Sequence, residues 1–203
     1  MRILMLAAIA ILTIVGVISP ANAEGDTKIN ETERQEMVLY VQKEMGLSQE
    51  RAARVVTILG KQSAAKARGD NEVAEIFQEL AQGVVLISHG EERAKKVLAG
   101  LPSGAPGTPV TAEQESELRL VGRFGKEASR LISGASAKLT NLSVTRFLAG
   151  KCGKKGLLPN IAECLAEAED VLATMRLALD TIKSSSQLLF TSARIAAAGG
   201  FTN

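Results

Sequence analysis

The stretch NIAECLAEAEDVLATMRLALDTIKSSSQLLFTSARIAAA, Asn160 to Ala198, decides the fold. Read with alternating four- and three-residue spacing, it carries one seam: Ile161, Leu165, Ala168, Leu172, Met175, Leu179, Ile182, Ser186, Leu189, Ala193 and Ala196. All of these but Ser186 are apolar, the pattern of a long helix packed along its length in coiled-coil fashion. Asn160 with Glu163 makes a capping box behind Pro159, and Gly199-Gly200 can close the far end. The expected helix has about 38 residues and, at 1.5 Å per residue, a length of roughly 55 to 60 Å. Lys183-Ser-Ser-Ser-Gln187 interrupts the seam, because serine competes for backbone hydrogen bonds. Beyond it Leu188–Ala198 is apolar nearly all round, which suits burial under the rest of the chain or a surface for self-assembly.

Upstream, residues 112–148 carry a second seam, Leu118, Val121, Gly125, Ala128, Ile132, Ala135, Leu139 and Leu142, started by a Thr111–Gln114 capping box. Gly122, Gly125 and Gly134 weaken helix by about 1 kcal/mol each, so one helix and two helices broken near Gly134 both stay open. Together these two runs read as a long helical hairpin over residues 111–203. The loop between its arms holds Cys152, and Cys164 lies in the following helical turn; they are the two cysteines of the chain. In an oxidising compartment this pair reads as a disulfide closing a short loop, contributing roughly 3 kcal/mol on the chain-entropy model. Lys151, Lys154 and Lys155, with Arg146 just before, make the loop basic. It reads as a solvated tip or as a contact for an acidic partner.

Residues 101–110 (Leu101-Pro-Ser-Gly-Ala-Pro-Gly-Thr-Pro-Val110) cannot continue a helix and suggest an exposed, stiff linker. Residues 24–100 before it read as an N-terminal bundle of short helices. Met37, Val38, Val41 and Met45 mark the first, which Gly46 ends. Ser48 caps a second, with Ala52, Val55, Val56 and Leu59 inward, running to Gly69. Val73, Ile76, Phe77, Leu80, Val84 and Ile87 mark a third, and a Ser88–Glu91 capping box starts a short fourth. The fold class is therefore all-α.

Residues 1–23 read as a signal peptide: Arg2, an apolar run from Ile3 to Ile18, then Ala21-Asn-Ala23 as cleavage site. A periplasmic location is the expectation, with secretion the alternative. Removing Arg2 from the 24 basic residues leaves 23 against 22 acidic ones, so the mature chain is near neutral. With no tryptophan and 3% aromatic residues it lacks the basic stripe and stacking platform of nucleic-acid binders. The single histidine, His89, reads as an exposed residue at a helix start, with no second ligand at zinc spacing. Glu72, Glu75 and Glu79 share a helix face without the Glu-x-x-His partner of a di-iron bundle. No cofactor, metal or transmembrane span in the mature chain is expected. The residual class is a non-enzymatic interaction factor of the envelope, an adaptor, accessory or assembly subunit. A helical carrier of a small apolar or anionic ligand and a self-assembling structural protein are the alternatives.

Overall fold

A computed structural model describes residues 31–102, 107–148 and 159–198, and among these the protein is all-helical. Residues 1–30, which include the stretch read as a signal peptide, lie outside the described residues, as do Cys152, Lys151, Lys154 and Lys155 and the side chains of Arg146 and Cys164. Five helices follow one another: α1 Glu31–Met45, α2 Gln49–Ala67, α3 Asn71–Ala99, α4 Ala112–Leu148 and α5 Pro159–Ala198.

Local chemistry sets most of the boundaries. Gly46 (φ +61°) and Gly69 (φ +77°) take the left-handed conformation that ends α1 and α2. The Ser48 hydroxyl accepts from the Arg51 amide at 3.4 Å, and the Asp70 carboxylate accepts from the Val73 amide at 3.2 Å. The capping box of α4 forms in both directions. Thr111 N–H donates to Gln114 Oε1 at 2.9 Å, and Gln114 N–H donates to Thr111 Oγ1 at 3.2 Å.

Two expectations are corrected. No helix starts at Ser88: α3 runs unbroken to Ala99. Ser88 is buried and its hydroxyl donates to the Val84 carbonyl at 2.7 Å, which satisfies a core serine inside a helix. His89 is accordingly half-buried in mid-helix rather than exposed at a helix start. The linker, expected to be exposed, has buried ends. Leu101 and Val110 close a small core with Leu118 of α4 and Ile195 of α5. The question left open at Gly134 is settled by one continuous α4.

The centre of the molecule is α3, which packs against α2, α4 and α5. Every residue from Gly83 to Ser88 is buried, so this part of α3 is enclosed on all sides. Contacts pairing Gly83 with Ile132 and Gly90 with Phe124 show α4 running antiparallel to α3. Leu189 against Gly90 and Ile195 against Leu101 show α5 running parallel to α3. The core joins residues from both sides of the linker, including Phe77 and Leu80 of α3, Ile132 and Ala135 of α4, and Val171, Met175 and Ala178 of α5.

The α3–α4 approach depends on small residues. A Cβ built on Gly83 would lie 2.8 Å from Ile132 Cγ1, whereas one on Gly122 meets nothing within 4 Å. Gly83→Ala is therefore expected to cost about 1–3 kcal/mol by overpacking. Gly122→Ala should stabilise by roughly 0.5–1 kcal/mol through helix propensity. Urea unfolding midpoints of the two variants, moving in opposite directions, check both.

Candidate interaction surface: the outer face of α5

The side chains that orient α5 are polar. Arg51, on the first turn of α2, is 8% exposed. Its Nη2 donates to Glu91 Oε2 of α3 at 2.9 Å and to Ser184 Oγ of α5 at 2.8 Å. The Ser185 hydroxyl donates to the same Glu91 oxygen at 2.6 Å, and Lys95 Nζ lies 2.8 Å from Glu91 Oε1. Burial by itself would push the Glu91 carboxyl up, but Lys95, Ser185 and Arg51 together hold it below its ordinary value. Two further contacts join α2 to α5. Arg54 Nη1 donates to Thr181 Oγ1 at 2.7 Å, and Lys61 pairs with Asp170. Three tethers in this order make α2 and α5 antiparallel and hold them in one register.

This fixes which face of α5 turns inward. Thr174, Thr181, Ser185 and Ser192 are buried beside Val171, Met175, Ala178 and Ile195. Thr174, Thr181 and Ser192 donate to the carbonyl four residues back, at 2.9, 2.9 and 2.8 Å, so their hydroxyls enter the core already satisfied. The seam expected from apolar spacing is thereby corrected. Met175 is buried, and Ile182, Leu189 and Ala196 are half-buried. Leu172 and Leu179, at 45% and 49% exposure, face outward with Ala193. Phe190, 63% exposed, lies on the same outer side, its ring under the Arg194 guanidinium at 5.7 Å. The sequence offers the basic tip Arg146, Lys151, Lys154 and Lys155 as the candidate contact and reads the α5 seam as packed along its length. The missed signal was Thr174, Thr181, Ser185 and Ser192, a row of small hydroxyl residues at helical spacing.

A groove of about 500 Å³ opens elsewhere, between the α1–α2 turn, the end of α3 and the start of α4. Met45, Gly46, His89, Lys96, Arg93 and Glu117 line it, the last two paired as an ion pair. Burial first, and the Arg93 charge second, lower the His89 pKa, so its ring is neutral at pH 7. The ring sits 6.4 Å from that of Phe124. Glu75 and Glu79, weighed as metal ligands, instead hold Lys138 of α4 at 3.2 and 2.9 Å. Among the described residues no group of three His, Cys, Asp or Glu side chains is placed to hold a metal ion, and no helix is long and apolar enough to cross a membrane.

Removing one member of the Arg51–Glu91 pair strands the other in the interior. Arg51→Met and Glu91→Met should each cost about 3 kcal/mol, and the double variant clearly less than their sum. Equilibrium urea unfolding of the four proteins of this cycle reads the coupling. His89 protonates near pH 6.5 in the unfolded chain and at lower pH in the fold. Unfolding therefore takes up a proton between those values, and stability falls as pH falls below about 6.5. Melting curves from pH 7.5 to 5 should show that loss, and His89→Gln should flatten it.

Compared with protein-family models, with curated proteins and with solved structures, the chain matches none.

Proposed function

We propose that this protein is an exported, non-enzymatic interaction factor of the cell envelope, which docks a protein partner on the outer face of α5. The observation that carries this reading is the orientation of that helix. Leu172, Leu179 and Phe190 stand exposed on it while four hydroxyl side chains of the same helix are buried. A helix in a self-contained bundle gains most by burying its leucines. An arrangement that faces them outward suits an apolar contact with another molecule. The signal-like residues 1–23 support export to the periplasm, with secretion as the alternative. The basic run Arg146, Lys151, Lys154 and Lys155 offers a second contact next to the start of α5.

The test is crosslinked capture from the protein's own envelope with the tagged mature chain. Leu172→Asp with Leu179→Asp changes exposed positions, so the melting temperature should hold. Partner recovery should fall by at least about tenfold, the equivalent of 1.4 kcal/mol of binding. Undiminished recovery would overturn the α5 surface. Loss with Lys154→Glu and Lys155→Glu alone would move the contact to the basic tip.

A second reading, a helical carrier of a small ligand, rests on the groove beside His89, where Glu92, Glu113 and Glu117 face Arg93 and Lys96. Native mass spectra of the purified protein showing a bound small molecule would support it.

A further inference from the structure

We propose that the groove beside His89 binds a small zwitterion, of the size of an amino acid or a dipeptide, with its carboxylate on Lys96 and its ammonium on Glu113. The inference rests on the second reading above, of the chain as a carrier, and names the class of its ligand.

The groove opens where one interhelix ion pair is left unmade. The antiparallel helices α3 and α4 are joined here by Arg93, which pairs with Glu117. One turn further toward the end of α3 the next position is Lys96, and one turn nearer the start of α4 it is Glu113. The register that joins Arg93 to Glu117 would join these two as well. Instead both are exposed and line the groove, and among the described residues neither side chain makes an ion pair or a hydrogen bond. The other charges on the groove are answered, Glu117 by Arg93 and Glu92 by Lys95 of its own helix at 3.1 Å. One cation on α3 and one anion on α4 therefore remain. A ligand of single charge answers one of them and leaves the other in water. A zwitterion answers both with charge-assisted hydrogen bonds and adds no net charge to the site. Between the two charges the lining includes Met45, Val97 and the neutral ring of His89, a surface for methyl and methylene groups. Gly46 keeps the α1–α2 side clear, since even a Cβ there would meet nothing within 4 Å. The volume of about 500 Å³ falls within the range of small-molecule sites.

Titration of the purified protein with L-leucine and with glycyl-leucine, followed by backbone amide chemical shifts, tests the inference. The amides of Gly46, Val97, Gly100 and Gln114 should shift and saturate, with a dissociation constant on the order of 1 mM or tighter. Isocaproate, which lacks the ammonium, and isoamylamine, which lacks the carboxylate, should each bind at least about tenfold more weakly. Lys96→Met and Glu113→Gln should each weaken L-leucine by a similar factor, and the melting temperature should hold because both positions are exposed. Saturation by either probe supports the inference, and the tighter of the two sets the ligand's size. Absence of a saturable shift with both probes at about 10 mM would overturn it, as would equal binding of the singly charged analogues or variants that bind as the wild type does. A bound molecule of another class in native mass spectra, with neither probe binding, would sink the zwitterion and leave the carrier reading intact. Spectra showing no bound molecule, together with no response to either probe, would sink both.

Discussion

One buried cation constrains this fold more than any other group. Arg51 cannot leave the interior, because it belongs to the first turn of a helix whose Ala52, Val55 and Val56 are core residues. A buried guanidinium has to be answered by charge and by hydrogen-bond acceptors. Glu91 supplies the charge from α3, and Ser184 supplies a hydroxyl from α5. Arg51 Nη1 is buried without a partner among the described residues, so the site is held by its location rather than by complete satisfaction. Through this network α2 and α3 share one register with α5, more than 130 residues away from Arg51 along the chain.

The orientation of α5 follows from it. With Ser184 and Ser185 drawn to Arg51 and Glu91, the positions one and two turns back, Thr181 and Ala178, are turned to the bundle as well. The close approach of α3 to its neighbours reinforces the choice. Gly90 lets Leu189 and Phe124 come so near that a Cβ there would stand 3.3 Å from each. Elsewhere along the inner face the side chains are short or bond back to their own helix, as Thr174, Ala178, Thr181 and Ser192 do. The leucine row then has only the solvent side left.

Much of the architecture was legible. The all-α class, the Thr111–Gln114 box, the glycines ending α1 and α2, and the α4 seam from Leu118 to Leu142, buried but for the half-buried Gly125 and Leu142, follow from periodicity and capping chemistry, and the structure shows them. The misreadings of Ser88 and of the α5 seam share one cause. Apolar spacing makes Ser88 a cap and gives no weight to Thr174, Thr181 and Ser192, whereas all four donate to a carbonyl one turn back and pass as core residues. Counting apolar residues on α5 therefore found the row with the most leucines, which is not the row with the most burial. The Arg51–Glu91 pair was illegible for a different reason. Forty residues separate its members, and nothing local to either announces a tertiary ion pair.

The 4-3 pattern of α5 is thus real but divided between two surfaces. Met175, Ile182, Leu189 and Ala196 lie on the side toward the bundle, while Leu172, Leu179 and Ala193 lie on the side away from it. The two sides differ in how they tolerate water. The inner hydroxyls are satisfied by their own backbone and by Arg54 and Glu91, so that face loses little polar bonding on burial. The outer leucines gain nothing from solvent and interrupt a row of charges already ordered along the helix. A helix built in this way buries its polar groups by bonding them to its own backbone and leaves its leucines on the solvent side.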